Sequence, residues 1–408
     1  ATAALAVDDM EGLQFLANGG DINLNFGVNG IDLATANSSN PMIVGAVSGQ
    51  TSSSNVVIKA DRFGTSAQTA GLVVRTSGAV KVEPSSTSFS SAQTFDPTWS
   101  FVNNTSLTFG KTNNTAGVTL TGTNSVAGDL TVIGGAVALN ANQTTTSAGN
   151  IAITPSGAYT GSGTINSAGT FTVSGGTTVA PTGGITAAGN IALSGSGAIT
   201  NSTAVLNSTS GGVTVTSTGS TVTTTATISA PGPVNITTEG ATSLLSIDAN
   251  ITTTGASGAI RLKSRGAIEV QASDVLQTNG ADVVLWASSN GGTGYIAIRN
   301  NVCINTNASC DASVATSTGS IYMGGGVAGT DYPTGPVLNT NWRGIRLGET
   351  ASGVKLLSGG GDISLDGQSQ LHGVEIYQGV IIKATTGSVS ITGRTTTSGY
   401  QALRIAGA

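Results

Sequence analysis

The sequence predicts an all-β fold: a right-handed parallel β-helix, or β-solenoid, with a differently built N-terminal capping region. Three observations predict it. Segments that alternate apolar and polar residues recur about every twenty residues, glycine-rich turns separate them, and no competing helical periodicity is present. The 408 residues include 59 glycines, and 38% are hydrophobic while only 9% are charged. That composition supports a folded core and differs from that of charge-swollen disordered chains.

The clearest repeat lies in the middle of the chain. Residues 149–153 (GNIAI) recur as residues 169–173 (GTFTV) and residues 189–193 (GNIAL), each twenty positions after the last. A strand that returns at this interval lies one strand spacing above its predecessor, so equivalent residues stack in parallel ladders. We therefore expect coils of about 22 residues. We also expect one inward-facing ladder, which contains Ile151, Phe171 and Ile191.

The N-terminal quarter is less periodic, and we divide the chain into a capping or insertion region, residues 1–116, and a β-helix, residues 117–408. Residues 80–109 contain no glycine and gather five aromatic residues. The end of a solenoid needs a cap because it otherwise exposes apolar surface and unpaired backbone. We interpret the aromatic group as the core of such a cap, the alternative being an aromatic platform for a ligand. Its members are Phe89, Phe95, Trp99, Phe101 and Phe109.

Charge is sparse and unevenly placed. The net charge is −5, and no lysine or arginine occurs in residues 112–260. No basic run suits a nucleic acid, and no apolar run approaches the roughly 18 residues that cross a bilayer. A repeat that stacks identical positions avoids charge because like charges in successive coils repel. The alternative explanation is an uncharged surface for carbohydrate or another neutral polymer.

The two cysteines, Cys303 and Cys310, are close in sequence and match no metal or redox motif. We predict that they form a structural disulfide that closes one loop. A disulfide of this kind favours an oxidising compartment, so we expect an exported, extracellular protein.

Residues that could support catalysis are few. The single histidine, His372, is expected to lie in a solvated turn. The best local pair of acids is Asp362 and Asp366, four residues apart on the polar face of one predicted strand, with Glu349 and Glu375 as candidate neighbours; we expect these acids to be solvated. The sequence thus predicts no catalytic residue, no metal and no cofactor. The competing hypothesis is a β-helical polysaccharide lyase or hydrolase, which would need two carboxylates projecting from adjacent coils.

Three segments carry a resemblance to a known family: residues 258–270 (GAIRLKSRGAIEV), 279–286 (NGADVVLW) and 386–393 (TGSVSITG). They resemble the repeat arrays of bacterial filamentous-haemagglutinin-like exoproteins, and the resemblance extends over roughly residues 117–408. It implies a right-handed parallel β-helix that is exported across an outer membrane and acts as an adhesin or surface fibre.

The partners that we expect follow from this resemblance and from the last residues. An adhesin of this kind binds a cell-surface carbohydrate or the surface of a host or neighbouring cell. The strand pattern that continues through residues 403–405 favours either a longer exoprotein or head-to-tail pairing of copies. Such pairing would make the chain a subunit of an extracellular filament or surface layer. We expect neither nucleic-acid binding nor insertion into a membrane.

Overall fold

The computed structural model describes residues 12–31, 41–63, 71–307, 309–310, 317–326, 332–340, 343–349 and 353–406. Every regular element in these ranges is a β-strand. Accordingly, none of the described residues forms a helix that could span a membrane. The chain divides into two compact units, Ala1–Gly189 and Asn190–Ala408.

The first unit contains twenty short strands. In chain order they are β1 (Gln14–Leu16), β2 (Ile22–Asn25), β3 (Met42–Gly45), β4 (Val56–Lys59), β5 (Leu72–Arg75), β6 (Ala79–Glu83), β7 (Gln93–Phe95), β8 (Trp99–Val102), β9 (Ser106–Phe109), β10 (Val118–Leu120), β11 (Asn124–Val126), β12 (Asp129–Gly134), β13 (Val137–Leu139), β14 (Gln143–Thr145), β15 (Ile151–Pro155), β16 (Ala158–Gly161), β17 (Ile165–Ser167), β18 (Phe171–Ser174), β19 (Thr178–Pro181) and β20 (Ile185–Ala187).

These strands form parallel sheets in which each strand pairs with its equivalent in the next coil. The first sheet of this unit runs β2-β4-β6-β9-β12-β15-β18. The second sheet runs β7-β10-β13-β16-β19, and the third runs β11-β14-β17-β20. The earliest coils instead pair β1-β3-β5-β8 in a sheet of their own. The N-terminal coils are therefore built differently, with two strands where later coils have three.

The second unit contains the remaining strands. They are β21 (Ile191–Gly195), β22 (Ala198–Thr200), β23 (Leu206–Ser208), β24 (Val213–Ser217), β25 (Val222–Thr224), β26 (Ile228–Ala230), β27 (Val234–Thr238), β28 (Leu244–Ile247), β29 (Ile251–Thr253), β30 (Ile260–Ser264), β31 (Ala267–Val270), β32 (Val275–Gln277), β33 (Val283–Ser289), β34 (Ile296–Ile298), β35 (Cys303–Asn305), β36 (Ile321–Gly326), β37 (Val337–Leu338), β38 (Arg343–Leu347), β39 (Lys355–Ser358), β40 (Ile363–Ser369), β41 (His372–Tyr377), β42 (Ile381–Ala384), β43 (Val389–Thr395) and β44 (Leu403–Ala406).

The second unit has the same three-sheet organisation. Its first sheet contains β21, β24, β27, β30, β33, β36, β40 and β43, with the short β37 also paired to β40. Its second sheet runs β22-β25-β28-β31-β34-β38-β41-β44. Its third runs β23-β26-β29-β32-β35-β39-β42. The predicted parallel β-helix is thus confirmed.

The coil length differs from expectation in part of the chain. The predicted coil of about 22 residues fits the pairing of Ile151 with Phe171, but Val283 pairs with Ile321 and Ile321 with Ile363. These two coils carry insertions between strands, which a search for a fixed period cannot detect. The predicted division between residues 116 and 117 stays a prediction; parallel pairing already joins β1 to β3, and the first compact unit ends at Gly189.

The core is a stack of aliphatic and aromatic side chains in register. In the first sheet of the first unit, Leu107, Leu130, Ile151 and Phe171 occupy one ladder, and each is 0% exposed. Residues on either side of each ladder position point outward and are mostly threonine, serine or asparagine. The alternation within each strand therefore sets which face is buried. Ile191, the third residue of the predicted ladder, is also buried and begins β21, the first strand of the second unit.

The aromatic residues of the N-terminal quarter form a buried cluster, which supports the core interpretation over the ligand platform. Phe89, Phe95, Trp99, Phe101 and Phe109 are each at most 8% exposed. Phe63, which lies outside the segment singled out from sequence, joins them. Its ring meets Trp99 edge-on with centroids 5.4 Å apart, a favourable aromatic geometry.

Polar residues also stack inside the coils, at the ends of strands in the second unit. Ser217, Thr238 and Ser264 occupy one register position and are each 0% exposed. The Thr238 hydroxyl donates to Ser264 Oγ at 2.9 Å and accepts from Ser243 Oγ at 2.8 Å. Because these buried hydroxyls bond to one another, the corner can turn without an unsatisfied polar group.

Glycines at the corners permit the close stacking of successive coils. A methyl group at Gly149 would lie 2.1 Å from the carbonyl oxygen of Gly128 in the preceding coil, far inside van der Waals contact. Gly183 bears the same relation to the carbonyl oxygen of Gly163. Glycine in the repeat therefore reflects a backbone approach that any side chain would block.

We expect Gly149→Ala to lower the free energy of unfolding by about 1–3 kcal/mol, because the added methyl group forces two backbones apart. Gly20→Ala is the matched control, since a methyl group there meets nothing within 4 Å. Denaturant unfolding followed by circular dichroism measures both. Equal stability of the two variants would contradict the stacking explanation.

Candidate functional site

A column of charged side chains runs along the outer face of the second sheet in the second unit. One register position contains, coil after coil, Glu269, Ala297, Arg346, Glu375 and Arg404. Where charges follow one another in this column, the sign alternates. In-register neighbours in a parallel sheet lie about 4.8 Å apart, so alternation turns a repulsive stack into ion pairs.

Glu269, Arg299, Arg346 and Glu349 form the first part of this network. Arg299 Nη2 lies 3.0 Å from Glu269 Oε2, and Arg299 also donates to Glu349. Arg346 donates to the same Glu349 carboxylate. The Tyr295 hydroxyl and the Gln271 amide complete the shell of Glu269, the latter at 3.3 Å.

Glu375 is the centre of the second part. Its side chain is 0% exposed and pairs with both Arg343 and Arg404, the latter with Nη1 2.8 Å from Oε1. A buried carboxylate needs such partners, because transferring an unpaired carboxylate out of water costs roughly several kcal/mol. Glu375 is therefore a structural anion that anchors two guanidinium groups.

A groove opens where the column contains alanine. It has a volume of about 410 Å³ and is partly open to solvent. Its lining includes Ala297 together with Glu269, Tyr295, Asn339 and three arginines, Arg299, Arg343 and Arg346. The small Ala297 side chain lies between two long charged ones in the column, and this gap in the charged face is the floor of the groove.

The electrostatics fix the protonation states in the groove. Burial raises the pKa of Glu269, but hydrogen bonds from Tyr295 and Arg299 outweigh burial and hold the pKa below its ordinary value. Burial and the bond to Glu269 raise the pKa of Tyr295 to about 12. At neutral pH the groove thus holds an ionised, fully paired carboxylate and a protonated phenol, neither of which suits proton transfer.

A second pair of acids lies at the turns between the second and third sheets. Asp248 follows β28 and is exposed, whereas Asp274 precedes β32 and is 9% exposed. Asp274 Oδ2 is buried and has no hydrogen-bond partner among the described residues. Burial, reinforced by the charge of Asp248, raises the pKa of Asp274 to about 6. The sequence does not reveal this pair, because 26 positions separate two acids that share no motif.

This shift predicts a pH dependence of stability. Between the ordinary value of 3.8 and about 6, the folded state binds more protons at Asp274 than the unfolded state. The contribution of Asp274 to stability is therefore present at low pH and is lost as the pH rises through this window. We expect Asp274→Asn to be more stable than the wild type at pH 7, with a smaller difference at pH 4.

Denaturant unfolding at the two pH values measures this difference. Asp248→Asn is the control, because it removes only the weaker cause and should have a smaller effect of the same sign. A difference between Asp274→Asn and the wild type that is the same at pH 4 and pH 7 would contradict the assignment.

The residues considered for catalysis from sequence are separated in the structure. Asp362 lies directly before β40 and Asp366 in the middle of it, both on the outward face; Asp362 Oδ1 accepts from the Ser388 amide at 2.7 Å and Asp366 pairs with Arg394. Glu349 and Glu375 belong instead to the arginine network. The prediction that Glu375 is solvated is wrong, because its two arginine partners let it be buried.

The prediction of a solvated turn for His372 is also wrong. His372 begins β41, is 9% exposed, and its Nδ1 lies 3.1 Å from the carbonyl oxygen of Gln401 in the next coil. Its ring also meets Tyr400 edge-on. Residues of the next coil, Tyr400 and Gln401, therefore lie against His372, and the sequence around His372 does not indicate this contact.

Cys303 and Cys310, for which the sequence predicts a disulfide, are bonded in the structure, with Cα atoms 6.2 Å apart. Cys303 begins β35, so the bond ties the following loop to the third sheet. Within the described ranges, no group of three or more His, Cys, Asp or Glu residues is placed to hold a metal ion.

Comparisons with known proteins found no match: no family model, no curated protein and no solved structure is significantly similar to this chain.

Proposed function

We propose that this chain is a non-enzymatic extracellular structural and adhesive protein, a haemagglutinin-like adhesin or surface fibre, whose charged groove is a binding surface. The observation that carries the proposal is the state of the groove. Its one carboxylate, Glu269, is held ionised by Arg299 and Tyr295, so it is a fixed charge and a poor general base. The disulfide supports an extracellular location, because such bonds persist in oxidising compartments.

A polysaccharide hydrolase is the second candidate, and the acids at Asp248 and Asp274 favour it. A carboxyl group with a raised pKa beside a second carboxyl group is an arrangement that general acid and base catalysis uses. Against it, Asp274 Oδ2 is buried, and a catalytic acid must reach its substrate.

A filament or surface-layer subunit is the third candidate, and the last described coil favours it. Val389 and Leu403 are 46% and 42% exposed, whereas their register partners Ile363 and Val374 are 0% exposed. Another parallel coil would cover these side chains and pair the strand edges beside them. A second copy could supply that coil through a head-to-tail contact.

The proposal predicts adhesion without turnover. Beads coated with the protein should be retained on at least some surfaces in a panel of immobilised acidic and neutral polysaccharides, while albumin-coated beads are not. No new reducing ends or unsaturated products should appear in the solution. The measurements are bead retention under flow and chromatography of the released sugars.

Three outcomes would contradict the proposal or replace it. Failure to bind any surface contradicts adhesion. Product release that Asp274→Asn abolishes and Asp362→Asn does not would establish the hydrolase. Light scattering tests the filament hypothesis. An increase of particle mass with concentration that Leu403→Lys prevents would support it. A chain that stays monomeric, with or without Leu403→Lys, would rule it out.

A further inference from the structure

The groove in the second unit carries an excess of positive charge. Three arginines and one glutamate line it. Three further residues pair with the groove arginines or with their partners: Glu349, Glu375 and Arg404. The whole cluster then contains four guanidinium groups and three carboxylates. A single monoanionic group would bring this cluster to neutrality.

Arg299 and Arg346 also retain hydrogen-bonding capacity. Each guanidinium has five N–H donors, and the ion pairs use two donor nitrogens of Arg299 and one of Arg346. Arg299 Nε is buried without a hydrogen-bond partner among the described residues. The pKa of Arg346 is lowered by burial and then by the charges of Arg299 and Arg343, a crowding that a bound anion would relieve.

The shape of the groove fits part of a larger molecule. Its volume of about 410 Å³ lies in the range of small-ligand sites, roughly 300–1,000 Å³. Most lining residues lie in or directly beside three successive strands of the second sheet, β31, β34 and β38, and Asn339 follows β37. Because the groove is partly open, a bound unit can continue as a chain beyond it.

We propose that this groove binds a uronic acid unit of an acidic polysaccharide, with the sugar carboxylate held by Arg299 and Arg346. A planar guanidinium matches a carboxylate through two parallel hydrogen bonds, which lysine cannot provide. The sugar ring would then lie beside Tyr295, which also lines the groove. This proposal rests on the adhesive function and names its ligand class.

Isothermal titration of the full chain with trigalacturonate tests the proposal. We expect saturable binding that weakens as salt rises, because the contact is charged. The methyl ester of the same trisaccharide and neutral maltotriose should bind at least tenfold more weakly. Inorganic phosphate and sulfate are separate arms, and binding of these ions without binding of trigalacturonate would overturn the saccharide assignment.

Two variants locate the site. Arg346→Gln should reduce affinity about tenfold or more, since a charged hydrogen bond is lost while Glu349 retains Arg299. Ala297→Leu should have a comparable effect by filling the groove without changing charge. The matched control is Arg394→Gln, which removes an arginine of the same unit that pairs with Asp366 outside the groove. Circular dichroism verifies that each variant is folded.

The outcomes separate the two levels of the proposal. If the wild type binds polysaccharide surfaces but Arg346→Gln and Ala297→Leu bind equally well, the groove assignment is wrong and adhesion stands. If trigalacturonate and its methyl ester bind alike, the carboxylate is not the recognised group. If neither surfaces nor oligosaccharides are bound, both proposals fail.

Discussion

In-register parallel stacking is the constraint on which the rest of this structure depends. Each side chain has as its nearest neighbours the equivalent residues one coil below and one coil above, about 4.8 Å away. A residue type is therefore acceptable at a position only if its side chain can pack against the equivalent side chains of the coils above and below. Apolar ladders such as Leu130, Ile151 and Phe171 satisfy this inside, and hydroxyl ladders such as Thr238 and Ser264 satisfy it at corners.

The same constraint explains where charge is absent and where it is concentrated. A stretch such as residues 112–260, with no lysine or arginine, avoids repulsion by excluding cations. The second sheet of the second unit solves the problem differently, by alternating Arg346, Glu375 and Arg404. One position of this column, Ala297, between Glu269 and Arg346, has no charged side chain. The proposed binding site is thus a gap in a ladder whose other members are fixed by their neighbours.

Much of the fold could be predicted from sequence, and little of the site. The twenty-residue repeat predicts the pairing of Ile151 with Phe171, because the period is short and the strand pattern is explicit. The charged column cannot be recognised in the sequence, because insertions place Glu269 and Arg346 far apart along the chain. In the sheet, only one strand, β34, lies between the strands that carry these two residues. Burial of His372 was missed for a related reason, since the covering residues belong to the next coil.

Cysteine cross-linking tests the stacking register most directly. Thr214 and Asn235 are register partners on neighbouring strands of the second unit, whereas Thr237 is two residues further along. The account predicts that Thr214→Cys combined with Asn235→Cys forms a disulfide on mild oxidation. The Cα atoms of partners in register lie within the range of about 4.4–6.8 Å that a disulfide spans. Thr214→Cys combined with Thr237→Cys should remain reduced, because that separation is roughly 8 Å. Equal cross-linking of both pairs, or preference for the second, would contradict the register on which the account depends.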